Sequence, residues 1–341
     1  MSSTGWPASP QVRLHVVTGK GGTGKTTVAA ALALALAAGG SRVLLVETEG
    51  RQGISQTLDL APLGTEEEHV LTDPSGGSVT ALSIDAKAAL LEYLHTFYRL
   101  GRAGSVLERI GAIDFATTIA PGVRDVLVTG KVYEAVGRTQ AGRTAGGRKR
   151  PGTPVYDAVV LDAPPTGRVG RFLGVNTELA DMAKVGPIRQ QADSITALMQ
   201  SEQTAVHLVT LLEEMPVQET ADAAQELLDG GLRLGAVVVN EVAQESLPPD
   251  LVDALGTDPG GVTHALTADL EAQRVRAPRT TATGLVAQSQ QHVARVGLQH
   301  RLEERVDALG LPVVRLPLLP DGLDGGGIRV LAELLREQGV A

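Results

Sequence analysis

Val16-Val-Thr-Gly-Lys-Gly-Gly-Thr-Gly-Lys-Thr-Thr27 is the stretch around which the rest of the chain is organised. The apolar run Leu14–Val17 reads as a buried strand, and the Ala/Leu-rich segment Lys25–Ala38 after the loop predicts a helix. Strand, glycine loop and helix in this order make a phosphate site. Gly19, Gly21, Gly22 and Gly24 let the backbone turn its N–H groups inward around a polyphosphate, and the helix start adds its unpaired donors. Gly19, Gly24, Lys25 and Thr26 satisfy G-x-x-x-x-G-K-[ST], in which the lysine meets the outer phosphates and the threonine hydroxyl meets Mg²⁺. Lys20, Thr23 and Thr27 complete the candidate cradle.

Composition narrows what such a site can serve. The 341 residues suffice for one large α/β domain or two ordinary ones, and 43% are hydrophobic against only 2% aromatic, so the core is built from Ala, Val and Leu. A net charge of −9 argues against general nucleic-acid binding, which needs a basic face. The absence of cysteine excludes disulfides, thiolate metal sites and cysteine catalysis. The apolar stretch Val28–Ala38 is too short to span a bilayer, and only a Ser/Pro-rich tail, Met1–Pro10, precedes the first strand, so a cytoplasmic protein without an integral membrane segment is expected.

Farther along, Arg42–Glu47 reads as a second strand after the Gly39-Gly40 helix stop. Ligands bind at the carboxyl ends of parallel strands, which places Glu47, Thr48 and Glu49 near the nucleotide. Thr80–Asp85 gives a short strand and Ala86–Gly137 a mostly helical region in which Leu90, Leu91, Leu94, Phe97 and Tyr98 share a packing face. The Gly/Arg/Pro-rich stretch 139–154 cannot bury apolar surface and reads as a mobile loop. Val155–Leu161 then delivers Asp162 to the sheet edge, where its carboxylate can hold Mg²⁺ through water opposite Thr26. Helical stretches are expected over 180–203, 216–230, 250–309 and 328–338, with strands over 205–212, 236–240 and 312–320. Asn240 ends one of these strands with an amide able to pair with an adenine edge. His264, His292 and His300 lack the spacing of a helical metal pair.

The string Gly19-Lys-Gly-Gly-Thr-Gly-Lys-Thr-Thr27 resembles the deviant Walker A loop of the ArsA, MinD and ParA group of P-loop ATPases. Asp162-Ala-Pro-Pro-Thr-Gly-Arg168 resembles switch II of its ArsA and tail-anchored-protein-targeting branch, and likeness is strongest to single-core ArsA-like ATPases of actinobacteria. That resemblance implies an α/β P-loop fold with a mainly parallel sheet, flanking helices and an inserted helical subdomain. It implies ATP and Mg²⁺ as ligands, with Asp162, Pro165, Thr166 and Gly167 in switch II and Thr166 and Gly167 as the γ-phosphate sensor. By the same likeness Asn240, Pro317, Leu318 and Leu319 enclose the adenine, and Lys20 reaches across a dimer interface to the partner's nucleotide. Glu49-Gly50-Arg51-Gln52 matches the stretch that forms the family's switch I, and Glu49 stands where the family places a water-orienting aspartate, as that base or as an outer-sphere Mg²⁺ ligand. Glu219 is either near the interface or nucleotide, or simply a helix-start charge partner. Arg168 replaces a family histidine, and the missing cysteines remove the metal-stitched dimer and the metalloid site of relatives.

One ATPase domain over 11–341 is therefore expected, with 86–138, 180–203 and 250–309 supplying a helical subdomain and covering helices. It acts as an ATP-driven switch, a homodimer or a heterodimer with a paralogue, with a helical surface for a protein client. A non-hydrolysing ATP-binding module and a MinD/ParA-type positioning ATPase remain as alternatives.

Overall fold

The computed structural model describes residues 11–85, 121–143, 149–182, 187–320 and 322–340. Eight strands form one sheet: β1 (Leu14–Gly19), β2 (Arg42–Glu47), β3 (Glu68–Thr72), β4 (Ser78–Ser83), β7 (Ala158–Asp162), β8 (Thr204–Leu211), β9 (Leu234–Val242) and β10 (Val313–Pro317). Their order is β10-β9-β8-β1-β7-β2-β4-β3, parallel throughout except for the antiparallel edge strand β3. The strand carrying the phosphate loop thus lies near the middle, flanked by β7 and β8. Strands covered on both faces read as continuous apolar runs, and β1, β7 and β9 do.

One face is covered by α1 (Lys25–Ala38) and α10 (Gly325–Glu337). Val28 to Ala37 are all buried, because α1 lies between the sheet and α10; its alanines let both neighbours approach closely. The other face is covered by α3 (Pro121–Gly137), α4 (Thr166–Met182), α5 (Pro187–Met199), α6 (Glu214–Asp229) and the C-terminal part of α9 (Pro278–Asp307). Phe172, Leu173, Ile195, Met199 and Leu227 fill that layer. The remaining described helices are the short α2 (Gly53–Thr57), and α7 (Pro249–Thr257) and α8 (Pro259–Ala272), which pack with α9. No residue of α8 is buried, whereas α9 buries Ala282 and Val286 near its start and joins the sheet layer near its end, where Leu298 packs on that layer and Leu302 and Val306 are covered.

Two differences from the sequence reading have physical causes. The stretch 139–154 is not simply a loop: β5 (Thr139–Arg143) and β6 (Lys149–Pro154) pair antiparallel, Thr139 opposite Pro154 and Arg143 opposite Lys149. Composition excluded an apolar face there, but a two-stranded ladder needs only backbone donors and acceptors. Strand β3, half-exposed and polar, carried no apolar run to announce it. The expected packing face Leu90–Tyr98 and the tail Met1–Pro10 lie outside the described residues. Among the described residues no helix is long and apolar enough to cross a membrane.

Candidate nucleotide site

The ends of β1, β7 and β2 come together because the three strands are neighbours in register, with Val17 beside Asp162 and Asp162 beside Glu47. Beyond β1 the chain turns through the glycine loop into α1. Gly24 has φ 83°, and a Cβ there would overlap the Asn240 amide, so only glycine fits. Thr23 braces the loop, its hydroxyl donating to Lys20 O at 2.9 Å. Asn240 braces it from below, its Nδ2 donating to Thr23 O at 3.1 Å. The first backbone bond of α1 runs from Val28 N to Gly24 O, and no side chain caps the helix. The amides of Lys25, Thr26 and Thr27 are thus left for an anion.

On the metal side, Thr26 Oγ1 donates to Asp162 Oδ2 at 2.6 Å. Asp162 is 8% exposed and its Oδ1 has no partner. Burial pushes its carboxyl up to about 6; the Thr26 hydrogen bond and Lys25 act against this, whereas Glu47 and Glu49 add to it. Burial likewise pushes the Lys25 ammonium down, an effect that Asp162 and Glu49 oppose. An anion on the loop and a cation beside Asp162 would oppose both shifts.

Threonines tie switch II to its neighbours. Thr18 Oγ1 donates to Pro164 O at 2.7 Å, and Thr48 Oγ1 to Asp162 O at 2.9 Å. Pro165 then leads into α4, which opens with buried Thr166 followed by Gly167. Glu49 is partly covered and faces two cations, Arg168 Nη1 at 3.4 Å and Arg51 Nη1 at 3.8 Å. Arg168 therefore joins the start of α4 to the turn after β2 that carries Glu49.

Lys20, expected to reach across an interface, is held within its own chain: Nζ lies 2.7 Å from Glu219 Oε1 on α6. Pro317 ends β10 beside the end of β9, and Leu318 N donates to Val242 O at 2.9 Å, so the Pro-Leu-Leu turn lies beside the strand end that carries Asn240. Leu318 is exposed there and Leu319 packs against α10's layer.

Two features escaped sequence reading. Glu47 is more deeply buried than Glu49, at 2% exposure, with Oε1 accepting from Gly53 N at 2.9 Å and Oε2 unpartnered. Its only signal was its place at a strand end. His15 and His207 meet in the core, Nδ1 to Nε2 at 3.1 Å, although 192 positions separate them in sequence. Ala236 N donates to His207 Nδ1 at 3.1 Å, so the His207 proton sits on Nε2 and points at His15.

A glycine loop opening a central helix, a hydroxyl and a strand-end carboxylate in contact beside it, and a mostly parallel sheet define a P-loop ATPase. A profile of the ArsA, or anion-transporting, ATPase family matches residues 12–201, and the chain belongs to that family. It is 49% identical to "ATPase BagA" of Mycobacterium tuberculosis over 99% of this chain and 97% of that one. It is 28% identical to the "Arsenical pump-driving ATPase" of Acidiphilium multivorum over 91% of this chain, which spans 52% of that protein. A protein of the same title from Escherichia coli is 30% identical over 67% of this chain and 39% of its own length.

Proposed function

We propose that this ArsA-family ATPase works as a Mg²⁺-dependent dimeric nucleotide switch, in the cytoplasm, whose ATP cycle opens and closes a helical surface for a protein partner. The observation that carries the reading is the Thr26–Asp162 contact at 2.6 Å beside a carboxylate oxygen with no partner. A hydroxyl and one or two carboxylates, completed by substrate phosphates, are the donor set Mg²⁺ takes in such sites. Thr26 and Asp162 would hold the Mg²⁺, which when bound would offset the negative charge developing on the phosphates. The chain's own residues do the rest. Lys25 and the amides of Gly21 to Thr27 hold the phosphates, and Glu49, released from Arg168, orients the attacking water. Asn240 and the turn Pro317–Leu319 flank the adenine.

Thr166 and Gly167, at the start of α4, report loss of the γ-phosphate to the helical layer, since α4 packs against α3, α5 and α6. The helical client surface is drawn from that layer and from the projecting α7–α9. Lys20 acts in trans, leaving Glu219 when two chains close around nucleotide. Homodimers and heterodimers with a paralogue use the same lysine.

ATP turnover per chain measured against protein concentration tests the reading. Turnover that rises with concentration and collapses in Lys20→Ala is expected; turnover per chain independent of concentration, and equal in the variant, overturns the dimer switch. A second reading, an ATP-binding module that needs a paralogue to hydrolyse, is favoured by the two arginines on Glu49. It is distinguished by tight ATP binding with turnover at the buffer level.

A further inference from the structure

The carboxylate that sequence reading left without a role is the most informative group at the site. Glu47 ends β2 directly beside Asp162, the two residues being in-register partners of parallel strands. Register partners in a parallel pair point to the same face about 4.8 Å apart, here the face from which α1 begins. Each is more than nine-tenths buried, and each keeps an oxygen without a hydrogen-bond partner, Glu47 Oε2 and Asp162 Oδ1. Two adjacent buried carboxylates with unmatched oxygens are costly unless a cation answers them.

Gly53 stands against both Glu47 and Thr26: a Cβ at that residue would lie 3.2 Å from Thr26 Cγ2, 3.5 Å from Thr26 Oγ1 and 3.7 Å from Glu47 Oε1, so a side chain there would crowd the gap that glycine leaves beside them. Thr26 Oγ1 in turn touches Asp162. Hydroxyl and both carboxylates therefore converge on one place.

We propose that Glu47 is a metal-positioning residue: with Asp162 and Thr26 it holds the water shell of the divalent cation, and through Gly53 it ties that cation to switch I. The second half rests on the other carboxylate oxygen. Glu47 Oε1 accepts from Gly53 N, the first residue of α2, immediately after the Glu49–Gln52 turn. A cation drawing on Oε2 thus shifts the anchor of the turn that carries Glu49. Switch I reads metal occupancy through Glu47, and switch II reads it through Asp162. The inference rests on the Mg²⁺ reading of Thr26 and Asp162 proposed above, and its test separates the two.

Mn²⁺ is titrated into chain saturated with ADP, and free Mn²⁺ is counted by electron paramagnetic resonance for wild type, Glu47→Gln and Asp162→Asn. Glutamine keeps the Gly53 acceptor and removes only the charge, and unchanged melting without metal verifies the fold. Binding at least about tenfold weaker in Glu47→Gln is expected, the range seen when outer-shell partners of a metal are lost. Wild-type affinity in Glu47→Gln with weakened binding in Asp162→Asn overturns the role of Glu47 and leaves the Mg²⁺ site standing. Wild-type affinity in both variants overturns the site itself. Amide exchange gives a second readout: Mg²⁺ with ADP should slow exchange over residues 53–58 in wild type and not in Glu47→Gln. Equal slowing in both overturns the link to switch I.

Discussion

The two ends of the central strands bury polar side chains in opposite ways. At the carboxyl ends of β7 and β2, Asp162 and Glu47 each keep an oxygen with no hydrogen-bond partner among the described residues. In the amino-terminal halves of β1 and β8, His15 and His207 are buried as deeply but hydrogen-bond each other, and Ala236 N–H completes His207. Satisfied polar burial belongs to the fold; unsatisfied burial belongs to a ligand. The histidine pair even has room made for it, since a Cβ on Gly235 would enter the His207 ring.

Substitution at the two ends should separate function from stability. The largest effect is expected from Asp162→Asn, with ATP turnover down about 10²- to 10³-fold, as for loss of one preorganised charge-stabilising group, and an unlowered thermal midpoint without metal. Steady-state kinetics and calorimetry on the same sample check both halves. His207→Leu should do the reverse, removing the acceptor of Ala236 N–H and the ring that hydrogen-bonds His15 Nδ1, at a cost of about 2–4 kcal/mol in denaturant unfolding with turnover at saturating ATP retained. Gly235→Ala should cost about 1–3 kcal/mol by forcing the ring aside.

Acidity sharpens the contrast. Burial holds His15 down at about 4 and His207 well below its usual 6.5, so the unfolded chain takes up protons that the native chain refuses. Their contribution is whole above pH 6.5 and is lost as pH falls toward 4, by about 1.4 kcal/mol per histidine for each pH unit crossed. Asp162, pushed up to about 6, has the opposite sign: its protonation favours the native chain as pH drops below that value. Unfolding measured between pH 7.5 and 5 should steepen in Asp162→Asn and flatten when both histidines are replaced. The smallest effect belongs to Lys20 and Glu219, half-exposed partners whose separation by Glu219→Gln should cost less than about 1 kcal/mol in urea unfolding.

What sequence could show follows the same division. The phosphate loop and Asp162 were legible because their chemistry is local: glycines, lysine and hydroxyl within one turn, and a carboxylate ending an apolar run. Strands β1, β2, β4 and β7 were legible for the same reason, as was the α1 helix. Glu47 was placed near the nucleotide but given no task, because only register with β7 brings it beside Asp162. The Lys20–Glu219 contact and the His15–His207 pair join residues far apart in the chain, and neither leaves a periodic trace. The hairpin β5–β6 was missed because pairing of backbone groups does not depend on apolar side chains.

The most direct test is anomalous scattering from crystals of the chain with Mn²⁺ and ADP. The account predicts a single Mn²⁺ peak beside Thr26 Oγ1, within one water of Asp162 and of Glu47, and the His15–His207 contact unchanged. A peak that approaches Asp162 but stands away from Glu47 would limit the site to one carboxylate. A nucleotide bound in the loop with no metal at either carboxylate would contradict the account.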